Sequence, residues 1–279
     1  MTINDEWADK TNMVLKECYL CYFDILGYRD YIETNPNAHK KYLFALELAI
    51  EKAKSIIREN RRYFTINYRT YSDNFMLFSK RLSQTDDIVM LNTLSTIMRK
   101  IQIEFLIDFD ILLRGSITIG NFYADDQIVF GSGLIRAYEL EASIAKFPRI
   151  IIDKEVFEEQ QLEKAAYLTC DFDGQYFVEY FYNQNCLKLT HGKIIGRMRT
   201  NCKYKSNVVD AKKIMQRERV IEKHIWLLIK YNNQCERLDC SHLRIAYNLR
   251  INERLMKTEI EVLSQQKNKH LLSYEEDDE

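Results

Sequence analysis

The chain has 279 residues, 46% of them apolar, which suffices for one large domain or two small ones and excludes disorder throughout. Lys and Arg number 40 against 41 Asp and Glu, a formal net charge of −1 that excludes a general binder of phosphate backbones. Its longest apolar stretches, such as 221–229 with Glu222, Lys223 and His224 inside it, fall well short of the roughly 20 residues a membrane helix needs. The N-terminal MTINDEWADK lacks the basic and apolar regions of a secretory signal, so a cytoplasmic protein without nucleic-acid or membrane partners is expected. Seven cysteines, an odd and scattered count, read as reduced thiols. Cys18 and Cys21 form a C-x-x-C, but inside a strand-like segment and without a second ligand pair for zinc.

Taken in chain order, YLCYFDIL (Tyr19 to Leu26) reads as a buried strand ended by Gly27. Apolar residues at three- and four-residue spacing from Tyr42 to Ile57 predict a helix from a cap at Asn37 to about Asn60. Two β-rich runs, 66–71 and 75–78, flank the turn formers Ser72, Asp73 and Asn74, which predicts a tight hairpin with Asp73 at its tip. A second helix follows over about 86–106 and a strand over 111–119. This is the order of a β-α-β-β-α-β ferredoxin-like, palm-like α+β sheet, with 127–130 or 150–152 expected as closing strands. Next come a helix over 133–146, the short strand RIIID, a helix around 154–165 and a hairpin across Asp173 and Gly174. From about residue 207 the pattern turns helical, with long amphipathic segments over 208–231 and 242–263 and an acidic tail. Residues 1–200 are therefore expected to form one domain, and 201–279 a helical region packed on it.

Asp24 lies in a buried apolar strand, where a lone carboxylate is costly unless it meets a cation. In the expected sheet this strand neighbours the hairpin that carries Asp73, so both carboxylates can converge on one point. Two such groups suit Mg²⁺ together with substrate phosphates. Spacing alone leaves open plainer roles, a helix cap for Asp24 and a turn former for Asp73.

FDILGY with Asp24, TYSDNF with Asp73, LLRGSITIG with Arg114 and IVFGSGLIRAYELE from Ile128 to Glu141 reproduce in order the landmarks of class III nucleotidyl cyclases. The segments DILGY, SDNF, RGSITIG, FGSGLIRAYELEASIAKFPRI and DFDGQYF further resemble the pyrimidine (uridylate/cytidylate) cyclases of bacterial Pycsar anti-phage systems, whose C-terminal helical region this chain also resembles.

The resemblance implies that Asp24 and Asp73 hold two Mg²⁺ or Mn²⁺ ions with the carbonyl of Ile25. It implies that Arg114 holds the terminal phosphates, close approach being eased by Gly115. Arg69 stands where adenylyl cyclases place an adenine-reading lysine, and Ile128 where they place an aspartate. Arg69 with Ile128 offers donors only, which suits the carbonyl oxygens of a pyrimidine. The asparagine and arginine of purine cyclases fall on Ile135 and Glu139, leaving Arg136, Lys146 and Arg149 as nearby cations to replace the arginine. The implied reaction converts UTP or CTP to the 3′,5′-cyclic monophosphate and pyrophosphate by in-line attack of the 3′-hydroxyl, in a homodimer whose two sites straddle the interface. The product would act on a separately encoded effector in anti-phage defence. The competing expectations are a purine cyclase, a non-catalytic nucleotide-binding module and a structural helical protein.

Overall fold

The computed structural model describes residues 14–28, 39–60, 65–71, 73–83, 87–125, 127–160, 162, 167–201 and 211–246. The chain divides into two compact units, Met1–Ile194 and Ile195–Glu279.

The first unit is built on a mixed sheet. Its strands are β1 (Lys16–Ile25), β2 (Asn67–Tyr71), β3 (Asn74–Lys80), β4 (Leu113–Ala124), β5 (Val129–Phe130), β6 (Ile150–Ile152), β7 (Leu168–Cys170) and β8 (Tyr176–Val178). The order is β2-β3-β1-β4-β6-β8-β7, with β5 paired to the end of β4. Strands β1, β3 and β4 pair antiparallel, and β2 pairs antiparallel with β3. With α1 (His39–Asn60) and α2 (Asp87–Phe109) as its crossovers, this is the ferredoxin-like α+β arrangement.

Its closing strand is β4, beside β1. Neither expected closing segment takes that place: 129–130 folds back on β4, and 150–152 adds a parallel strand outside it. The reason is length, since β4 runs to Ala124, beyond the predicted 111–119.

Alternation along β1 decides which layer each side chain enters. Tyr19, Cys21, Phe23 and Ile25 join the core beneath α1 and α2, with Ala53, Ile56, Leu94, Met98 and Phe105 among their companions. Cys18 and Leu20 join Met76, Phe78, Phe122 and Ala124 on the other face. Cys18 and Cys21 thus face opposite layers, and burial pushes the Cys18 thiol up to about 12, so they are packing residues and not a ligand pair.

The second face is covered by α3 (Ser132–Glu139), which continues as a π-turn over Leu140–Ile144. Glycine makes the contact possible, because a Cβ on Gly120 would lie 2.7 Å from the Cα of Gly133. Arg136 on α3 donates to Asp153 at 2.7 and 2.9 Å, and Thr118 of β4 donates to the same carboxylate at 2.7 Å. Burial alone would raise the pKa of Asp153, but these hydrogen bonds outweigh it and hold the group below the usual range.

The β7–β8 hairpin, turning through Gly174 at φ 77, occupies its expected place, whereas helix α4 (Lys154–Glu159) starts as expected but ends at Glu159, short of the predicted 154–165. Helix α5 (Gln184–Asn201) was not foreseen from the sequence.

In the second unit, α6 (Ala211–Arg237) replaces the predicted helix over 208–231. It is followed by a 3-10 turn, Ser241–Leu243, instead of the start of a long helix. Asn232 explains the stop, since its amide donates to the carbonyl of Ile245 at 3.0 Å and accepts from the Ile245 N–H at 2.9 Å. The rest of the expected 242–263 helix, the acidic tail and the Asn37 cap lie outside the described residues. No described helix is long and apolar enough to cross a membrane.

Candidate functional site

Register places Asp24 opposite Asn74 of β3 on one side and Arg114 of β4 on the other. Asp73 immediately precedes Asn74, and its carbonyl accepts from the Ile25 N–H at 3.3 Å. Three segments that are distant in sequence thereby bring Asp24, Ile25, Asp73 and Arg114 to one end of the sheet.

The cation that a buried Asp24 requires is Arg114, whose Nη2 and Nε donate to Asp24 Oδ2 at 2.9 and 3.3 Å. Asp24 Oδ1 is buried and accepts from no N–H or hydroxyl group, while the Asp24 carboxyl lies within hydrogen-bonding reach of that of Glu141. Burial is the largest influence on this carboxyl and raises its pKa despite Arg114.

A third carboxylate completes the cluster. Glu141, 3% exposed, lies with Oε1 2.6 Å from Arg114 Nε. That oxygen accepts no aligned hydrogen bond. Burial pushes the Glu141 carboxyl up to about 7, with Arg114 opposing and Asp24 and Asp73 reinforcing the shift.

Sequence reasoning passed over Glu141 because it ends an amphipathic run where a glutamate reads as solvated. Glu141 lies four residues after Ala137 and eight after Gly133, on the face that α3 buries against the sheet. Tyr22 and Asn74 were passed over too. The Tyr22 hydroxyl donates to Asn74 Oδ1 at 2.8 Å, and burial, then Glu141 and Asp24, raise its pKa.

Among the described residues no group of three or more His, Cys, Asp or Glu side chains is arranged to hold a metal. The two-aspartate set with the Ile25 carbonyl nonetheless fits a hard divalent cation, since its donors are all oxygen and Asp24 Oδ1 is buried without an N–H or hydroxyl donor.

Arg69 and Ile128 are linked through Asp125 elsewhere on the same face. In register Arg69 faces Met76, which faces Tyr22, a row adjacent to that of Asn74, Asp24 and Arg114. Arg69 Nη2 donates to the Asp125 carbonyl at 3.0 Å, and the Asp125 N–H donates to the Ile128 carbonyl at 2.9 Å. The Asp125 carboxylate fixes this turn by accepting from the N–H groups of Gln127 and Ile128 at 2.8 and 2.7 Å. The Ile128 side chain is 49% exposed. An open apolar cavity of about 370 Å³ lies on this face, lined by Tyr22, Asn74 and Met76 from the sheet and by Val129, Ile135 and Tyr138 from β5 and α3.

Two sequence-level suggestions change. Arg149 is fully buried between Asp171 and Asp173, so it is not available to a substrate, and Arg136 is committed to Asp153. The close approach that Gly115 permits is that of β1, because a Cβ there would meet the Tyr22 carbonyl at 2.3 Å.

No protein-family model and no curated protein matches the chain. Among solved structures it is similar to the monomeric guanylyl cyclase domain of the RhoGC fusion protein from the aquatic fungus Blastocladiella emersonii, with 13% identity over 59% of this chain and 95% of that one and a TM-score of 0.46. It is also similar to an adenylate/guanylate cyclase/hydrolase from Silicibacter pomeroyi, with 19% identity over 59% and 95% of the two chains and a TM-score of 0.38. A bacterial light-regulated adenylyl cyclase shares 14% identity over 64% of this chain and 57% of its own, with a TM-score of 0.40. Strand order and register, and not these likenesses, assign the α+β fold.

Proposed function

We propose that the chain is a class III nucleotidyl cyclase that acts on a pyrimidine nucleoside triphosphate. The observation that carries this reading is the convergence of Asp24, Asp73 and Arg114, with a buried oxygen on Asp24 that has no N–H or hydroxyl donor. Asp24, Asp73 and the Ile25 carbonyl would hold the divalent cations. Bound there, Mg²⁺ or Mn²⁺ supplies a lowered pKa at the ribose 3′-hydroxyl and neutralisation of triphosphate charge. Arg114 offers a fork of donors to the terminal phosphates. No protein nucleophile is needed, because the attacking oxygen belongs to the substrate.

Pyrimidine selection rests on Arg69. Its guanidinium donates to the Asp125 and Tyr68 carbonyls at 3.0 and 3.3 Å and would turn donors to a base, while Ile128, joined to the same Asp125, has no polar side-chain atom to offer. Uracil would offer these donors two carbonyl acceptors, O2 and O4, on either side of its N3–H; adenine offers no carbonyl oxygen and would bring an amino donor with no acceptor from either side chain.

A homodimer with sites shared between subunits is part of the same reading, supported by the exposed apolar side chains of Phe130, Ile135 and Tyr138 on β5 and α3. So are a catalytic domain over 1–200 with a helical region over 201–279, a cytoplasmic location and a cyclic product read by a separate effector in anti-phage defence. The test is incubation with each of UTP, CTP, ATP and GTP and Mg²⁺ or Mn²⁺, with products identified by mass spectrometry. A cyclic pyrimidine monophosphate and pyrophosphate are expected; conversion of purines alone would refute the specificity, and no cyclic product the activity.

A further inference from the structure

Arg114 has two anionic neighbours, and they hold it differently. Asp24 Oδ2 accepts from both Nη2 and Nε, whereas Glu141 Oε1 sits 2.6 Å from Nε without an aligned hydrogen bond. In this arrangement the guanidinium occupies one of the two oxygens that Asp24 could give to a divalent cation. Arg114 and the cation therefore compete for Asp24, and their like charges repel at such range.

Releasing Arg114 from Asp24 would leave a three-quarters-buried guanidinium without its anion, a costly state unless another carboxylate receives it. Glu141 is already in place. It is 3% exposed, it is carried on the π-turn that continues α3, its near oxygen accepts no aligned hydrogen bond, and its carboxyl lies within hydrogen-bonding reach of Asp24. We propose that Glu141 is a positioning residue that takes over Arg114 when a divalent cation enters at Asp24, freeing Asp24 for the cation and turning the Arg114 donors toward the phosphates. The inference rests on the cyclase reading of Asp24 and adds a residue to it.

The competition gives a signature in three variants, of which the charge-conserving Glu141→Asp separates contact with Arg114 from a long-range electrostatic effect. Without Glu141, Arg114 falls back on Asp24 and cation affinity drops; removing Arg114 as well removes the competitor and restores it. The experiment is titration of the full chain with Mn²⁺ alone at pH 8, read by isothermal calorimetry or by the electron paramagnetic resonance of free Mn²⁺, with folding checked by circular dichroism. Glu141→Gln should bind about ten-fold more weakly than the wild type, and the double variant Arg114→Gln with Glu141→Gln should return to within about two-fold of it. An unchanged affinity in Glu141→Gln, or a double variant as weak as the single one, would overturn the inference. Glu141→Asp keeps the charge but withdraws the carboxylate from Arg114, so it should lose nearly as much as Glu141→Gln; wild-type affinity in Glu141→Asp would leave only a charge effect and overturn the role, whether or not the double variant folds. A wild type that binds no Mn²⁺, or an Asp24→Asn variant that binds it equally well, would refute the cyclase reading of Asp24 itself.

Discussion

Asp24 and Arg114 are register partners on neighbouring strands, and the Arg114 guanidinium donates to the Asp24 carboxylate at 2.9 Å. The pair satisfies the electrostatic need of a carboxylate in an apolar strand while leaving its second oxygen without an N–H or hydroxyl donor. The half-satisfied state is what gives the pair its functional interest.

Replacing either aspartate should therefore cost activity and little stability. Asp24→Ala and Asp73→Ala are each expected to lower cyclisation by on the order of 100-fold or more while changing unfolding free energy by less than about 1 kcal/mol, since Arg114 keeps Glu141 as a partner. Initial rates and urea melts check this together. Near-normal turnover in either variant at ordinary cation concentration would remove that residue from the site.

Sharing of the site between subunits predicts complementation. An Asp73→Ala chain mixed with an Arg69→Ala chain should recover activity that neither shows alone, because each mixed dimer rebuilds one complete site. If mixed dimers form, by native mass spectrometry, and stay inactive, the site lies within one chain.

Glu141 predicts a pH dependence of stability. Its carboxyl is raised from 4.5 to about 7 in the folded protein, so its contribution is fully present below the unfolded value and is lost as pH rises through about 7. Relative to Glu141→Gln, the wild type with chelator present should lose roughly 1–3 kcal/mol between pH 4.5 and pH 8. Parallel stability curves for the two proteins would show that the carboxyl is not perturbed by its surroundings.

The ferredoxin-like frame was legible because its signals are local. Alternation marks β1, spacing of three and four marks α1 and α2, and Asp73 with Asn74 marks the hairpin. The demand of Asp24 for a cation was legible too, from the cost of burial alone. What stayed hidden depends on tertiary phase. Glu141 shares the buried face of Gly133 and Ala137, but a lone glutamate there reads as solvated until Arg114 is seen beside it, and Gly192 with Gly196 read as breakers inside what is helix α5. The fate of Arg149 was equally hidden, because Asp171 and Asp173 reach it only once the β7–β8 hairpin has formed. The Asn232 contact that ends the C-terminal helical pattern joins residues 13 apart, beyond any periodic signal.

The most direct measurement is competition among UTP, CTP, ATP and GTP at equal concentration with Mn²⁺, products resolved by mass spectrometry and Asp24→Ala run beside the wild type. The account predicts cyclic UMP as the main product, favoured over cyclic CMP by roughly five- to two-hundred-fold because the cytosine amino group would face Arg69 with an unmatched donor, and none from the variant. Mainly cyclic CMP would reverse the uridine preference, and mainly cyclic AMP or cyclic GMP would contradict the central claim.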